Sequence, residues 1–134
     1  MSALITAEGL VRLDAALAWI EQHPEQHRQD NWITDTGCGT AYCLAGAIVH
    51  LAGAEPVYDP LDDLWPLPEG AVRTRITSVI KVGDERWKVS RYALELLGID
   101  ADDDYIADEL FDGSATLARL REVRDSLAAS LDAA

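Results

Sequence analysis

The sequence predicts a mainly α-helical domain: about five helices around a central apolar helix at 41–52, with one small β-hairpin near 74–89. Three observations carry this. Apolar residues recur at helical spacing near both ends of the chain. Residues 41–52 are small or apolar on every side, and β-rich runs flank Gly83-Asp84.

The first helix is predicted over about Ala7 to Gln22. Leu10, Leu13, Leu17 and Ile20 share one side, Thr6 is the N-cap, and Pro24 bars continuation. Residues 24–39 are polar and read as a loop anchored by Trp32. Thr40 is the expected N-cap of the central helix, which sets Ala41, Ala45, Gly46 and Ala47 between Tyr42, Leu44, Ile48 and Val49. Gly53 suits its C-terminal end. Residues 54–70 hold Pro56, Pro60, Pro66 and Pro68, so an irregular segment is expected, burying Trp65 with Tyr58 and Leu64. Residues 72–89 are the only expected strand material, with a two-residue turn at Gly83-Asp84. Ser90 is expected to cap a helix at 91–97 that stops at Gly98. Asp100 would cap another at about 101–110. Ser114 would cap the last, at about 115–131, with Leu117, Leu120, Val123, Leu127 and Leu131 inward.

The 134 residues suit a single domain spanning 1–134. No apolar run approaches the ~20 residues of a membrane span, and the N-terminal residues lack the pattern of a signal peptide. A cytoplasmic protein without membrane contact is expected, in the host cytoplasm if phage-encoded. Two cysteines are too few for a disulfide scaffold. The net charge is −13, from 24 acidic and 11 basic side chains. That field repels nucleic acid at long range, so no direct nucleic-acid partner is expected. It serves solubility, and it would also attract a basic protein surface. The charge is uneven. Asp100, Asp102, Asp103, Asp104, Asp108, Glu109 and Asp112 form one run, while Arg73, Arg75, Lys81, Arg86, Lys88 and Arg91 form another. The two segments would either compensate each other or form faces of opposite sign.

Both cysteines lie in Gly37-Cys38-Gly39-Thr40-Ala41-Tyr42-Cys43, at the glycine-rich entry to the apolar helix. A thiol at a helix N-terminus can be activated, and glycine amides can cradle an oxyanion. A structural role as small buried hydrophobes is the simpler reading. A Cys38–Cys43 disulfide and metal binding are weaker alternatives, because the Cys-x4-Cys spacing and the distance to His50 do not suit a tetrahedral zinc site. A papain-like set would use Gln29 upstream of the cysteine, but no histidine follows His50. Only His23 or His27, on a loop folded back, could act as base. The acidic run lacks the glycine and glutamate of a calcium loop, and its first carboxylates suit a helix start. No metal and no cofactor are expected.

The string His23-Pro24, Gln29, Trp32, Cys38-Gly39-Thr40, Cys43, Ala45-Gly46, with Leu96-Leu97-Gly98-Ile99 and Leu110-Phe111-Asp112-Gly113, resembles a pattern in small uncharacterised proteins of actinobacteria and their phages. The resemblance covers most of the chain and implies no activity. It implies a phage-type accessory protein or a host relative, with Trp32, Cys38, Gly39, Thr40, Cys43 and Gly46 as the carried-over positions.

The function expected is that of an acidic accessory protein acting by protein–protein interaction. It would bind or inhibit a host protein with a basic surface through Asp100, Asp102, Asp103, Asp104, Asp108 and Glu109. The alternative is a thiol-dependent enzyme or redox protein centred on Cys38 or Cys43.

Overall fold

The computed structural model describes residues 3–63, 66–71, 73–100 and 104–133. Helix α1 (Ala7–Gln22) has the predicted bounds, and the Thr6 hydroxyl accepts from the Gly9 amide at 2.9 Å. Its Leu13, Leu17 and Ile20 are buried, each side chain contributing about 1.5–3 kcal/mol relative to exposure. The loop expected over 24–39, anchored by Trp32, instead contains a short 3-10 turn (Pro24–Gln26) and a strand, Ile33–Asp35.

Among the described residues, two antiparallel three-stranded sheets correct the expectation of a mainly helical domain with one hairpin: the fold is mixed α and β. Strand β1 (Ile33–Asp35) lies between β2 (Thr40–Tyr42) and β4 (Arg75–Thr77). Strand β5 (Val79–Val82) lies between β3 (Glu55–Pro56) and β6 (Glu85–Lys88). The expected hairpin survives as β5–β6, turning at Gly83-Asp84 with Val82 opposite Glu85. The expected strand before it is divided at Ser78. There the Thr77 hydroxyl accepts from the Val79 amide at 3.1 Å, and β4 leaves for the other sheet. A further 3-10 turn covers Pro60–Asp63, and the predicted anchors Leu64 and Trp65 lie outside the described residues.

Helix α2 (Leu44–Leu51) is shorter than the expected 41–52, because Thr40 to Tyr42 pair with β1. The N-cap is therefore Cys43, not Thr40. Leu44 to Val49 are all buried, and only His50 and Leu51 of the helix reach solvent. Helix α2 packs on α1 and on α3 (Val89–Leu97). Where α1 meets α3, Gly9 lies against the Leu97 main chain so closely that a Cβ would overlap it. Lys88, not Ser90, stands at the N-cap of α3, and no side chain caps that end. Gly98 closes α3 in the left-handed conformation (φ 66°) as expected.

Helix α4 covers Asp104–Leu110, and the start expected at 101 lies outside the described residues. Helix α5 (Leu117–Ala133) starts later than expected. The Thr116 hydroxyl accepts from the Arg119 amide at 3.2 Å, while Ser114 bonds back to Asp112. Leu120, Val123 and Leu127 are buried, with Leu117 and Leu131 at the margin. Helix α5 packs on α1 and α4, and Arg124 grips Asp14 of α1 with two bonds at 2.7 and 3.0 Å.

Candidate functional site

Four residues separate the two cysteines, and the fold puts them in different environments. Cys38 is exposed in the turn between β1 and β2, where its amide donates to the Thr36 hydroxyl at 3.3 Å. Cys43 is 2% exposed, and its sulfur accepts from the Gly46 amide at 3.3 Å, doing the work of a capping serine. Both thiols are free. Burial pushes the Cys43 thiol up to about 11, outweighing the amides that favour the thiolate. A helix N-terminus by itself would lower it. Desolvation wins here, so Cys43 is a protonated cap and a poor nucleophile.

Gln29 is the residue that joins this corner to the rest of the fold. Its Oε1 accepts from the Leu44 amide at 3.0 Å, satisfying an otherwise orphan donor of α2. Its Nε2 donates to the carbonyls of Leu110 (3.3 Å) and Asp112 (3.2 Å), at the C-terminal end of α4. His27 Nε2 lies 3.0 Å from the same Oε1. Gln29 lines the same small cavity as Cys43, as a papain-like set would require, and His27 reaches Gln29. But the Gln29 amide is committed to two carbonyls rather than free to meet an oxyanion. His23 is stacked on Trp19 at 4.6 Å, and His50 is stacked on Tyr42 at 4.5 Å. Burial holds the His50 imidazole below its ordinary value. No group of three or more potential metal ligands occurs among the described residues.

The resemblance positions also resolve into structure. The Trp32 carbonyl accepts from the Cys43 amide at 3.1 Å and lies where a side chain on residue 46 would be, which explains Gly46. Gly39 is open to solvent on its Cβ side, and its carbonyl accepts from the Thr36 amide and hydroxyl at 2.9 and 3.0 Å. The Trp32 ring packs edge-on against Phe111, with centroids 5.7 Å apart.

That aromatic pair forms part of the floor of a cleft of about 690 Å³ between α3 and α4, completed by Leu94 and Ala107. Its volume is in the range of ligand-binding sites. Lys88 and Arg91 stand on one rim, Asp108 and Asp112 on the other, and all four are exposed. The ends of the two charged runs noted in the sequence thus line one cleft. Lys88, Arg91 and Asp108 make no ion pair among the described residues. Asp112 accepts from the Ser114 amide at 2.9 Å, the main reason its carboxyl falls below the usual range.

These charges sit on the wrong helix ends for stability. Lys88 and Arg91 lie at the positive N-terminus of α3, which carries no acidic residue in its first turn. Asp108 and Glu109 lie in the last turn of α4, which carries no basic one. Charges so placed typically cost about 0.3–1 kcal/mol each at an exposed site. Breaking a local rule without an evident structural gain is a mark of functional positions.

Of the other expected binding residues, Asp100 is exposed. Glu109 pairs with Arg119 at 2.9 Å, so it is engaged within the fold. Asp102 and Asp103 lie outside the described residues, as does the side chain of Asp104. Sequence reasoning missed Lys88 and Arg91 as site residues, and weighed Gln29 only as a catalytic partner. The segregated charge was visible, but the facing of the two rims is a tertiary property. Comparison with protein-family models, curated proteins and solved structures finds no match to this chain. No described helix is long and apolar enough to cross a membrane.

Proposed function

We propose that the protein acts by binding another protein, and that the cleft between α3 and α4 is the contact surface. In this reading it is a small accessory protein, of the kind its sequence resembles in actinobacteria and their phages. Its target would be a host protein that presents basic groups to the acidic rim. The observation that carries the reading is the Asp108 side of the cleft, an exposed carboxylate without an ion-pair partner among the described residues, beside a partly exposed aromatic pair. Aromatic anchors with charged groups around them are the usual composition of a binding hot spot. The thiol-enzyme alternative has less support, because the Cys43 sulfur is buried and used as a helix cap, and the exposed Cys38 sulfur has no hydrogen-bond partner among the described residues that could act as its base.

The test compares wild type with Asp108→Asn in pull-downs from an actinobacterial lysate at low and moderate salt. A host protein held by wild type, released by salt and recovered several-fold less by the variant supports the reading. Identical recovery by both proteins at both salt levels contradicts it.

A further inference from the structure

We propose that the α3–α4 cleft recognises a short peptide segment of mixed charge. An aromatic or large aliphatic side chain would lie on the floor, a basic one toward Asp108 and Asp112, and an acidic one toward Lys88 and Arg91. The inference rests on the reading that this cleft binds protein, and it narrows the partner.

The argument begins with the two rims. Cations at the N-terminus of α3 add to the positive end of that helix, and carboxylates in and beyond the last turn of α4 add to its negative end. Each rim therefore concentrates one sign. Lys88, Arg91 and Asp108 are left without ion pairs among the described residues, so the rims do not neutralise each other across the gap. A uniformly basic segment would meet Asp108 and Asp112 but be repelled by Lys88 and Arg91. A uniformly acidic one would meet the cations, but it would be opposed by the near rim and by a net charge of −13. Only a segment carrying both signs satisfies both rims. The floor adds the apolar requirement. Trp32, Phe111 and Ala107 are partly buried and Leu94 is buried, so an inserted ring would meet carbon on several sides.

The test uses four pools of synthetic peptides of equal length on the immobilised full chain. One pool is mixed in sign around a central aromatic residue, one is basic around it and one acidic around it. The fourth is mixed in sign with serine at the centre. Retention of the mixed aromatic pool at least tenfold above the other three is the expected result. Substituting Lys88→Ala with Arg91→Ala should lower that retention to the level of the basic aromatic pool. Asp108→Asn should also weaken it, and Arg12→Ala, which does not line the cleft, should not. Melting curves of each variant establish that it is folded, and Lys88→Arg, which keeps the charge, should retain binding. If the basic pool binds as tightly as the mixed one and ignores the Lys88 and Arg91 substitutions, the inference is wrong while the cleft remains a protein-binding surface. If no pool is retained above scrambled controls, both the inference and the reading beneath it fall.

Discussion

The main-chain carbonyl of Trp32 fills the space that a side chain at Gly46 would need. This close approach lets β1 run against the first turn of α2, with the Cys43 amide bonded to the same carbonyl at 3.1 Å. Relief would require moving backbone, not rotating a side chain. Gly46→Ala should therefore destabilise the fold by about 2 kcal/mol or more, despite the better helix propensity of alanine. Urea unfolding midpoints measure this, and an unchanged midpoint would refute the close-approach account.

Cys43 should resist alkylation in the folded protein at neutral pH, while Cys38 reacts. Mass spectrometry after iodoacetamide treatment, with and without urea, distinguishes the two. The raised Cys43 value also sets a pH dependence. The folded state keeps its proton where the unfolded thiol, ordinarily near 9.0, has lost it. This contribution is intact below about pH 9 and is lost as pH rises toward 11, at most about 2–3 kcal/mol. Cys43→Ser keeps an N-cap and should flatten the alkaline slope. A serine variant as steeply alkali-sensitive as wild type would exclude this cause.

Gln29→Ala should cost about 1–3 kcal/mol, because it leaves the Leu44 amide, on a fully buried residue, without its acceptor. It also releases the C-terminal carbonyls of α4. Amide exchange of α4 should accelerate more than that of α1. Uniform acceleration across the chain would show that Gln29 supports global stability rather than holding α4.

Lys88→Asp should raise stability by about 0.5–2 kcal/mol. Lys88 stands at the N-cap of α3 with extended backbone angles that suit a capping carboxylate, and the change reverses a charge opposed to the helix dipole. The same change should abolish recognition of the acidic group of a mixed-charge peptide. Thermal melts and peptide binding, measured side by side, would show the trade-off. A variant both less stable and still binding would contradict the assignment of Lys88 to the site.

The legible parts of the fold were those set by local chemistry. Thr6 and Pro24 bound α1, Gly83-Asp84 turns the hairpin, and Gly98 ends α3. The strands β1 to β3 were missed because each is two or three residues long and takes its register from distant partners, while β4 fell within the expected strand but in a different sheet from β5. Ile33, for example, pairs with both Tyr42 and Thr77. That pairing also decided the cap. By intrinsic preference Thr40 should start the helix, but its place opposite Asp35 in the sheet moved the start to Cys43. Trp32 was legible as an anchor, and the charged runs were legible as runs. Gln29 was not legible as a brace, because its partners at Leu44, Leu110 and Asp112 come together only in the folded chain.

The most direct test of the α3–α4 cleft is an NMR titration of the isotope-labelled full chain with the mixed-charge aromatic peptide. The account predicts shift changes confined to residues 88–94 and 107–112 and to the Trp32 indole, saturating with peptide and shrinking with salt. Shift changes centred on the Cys38 turn, or on the α1–α5 face, would place the binding surface elsewhere and contradict it.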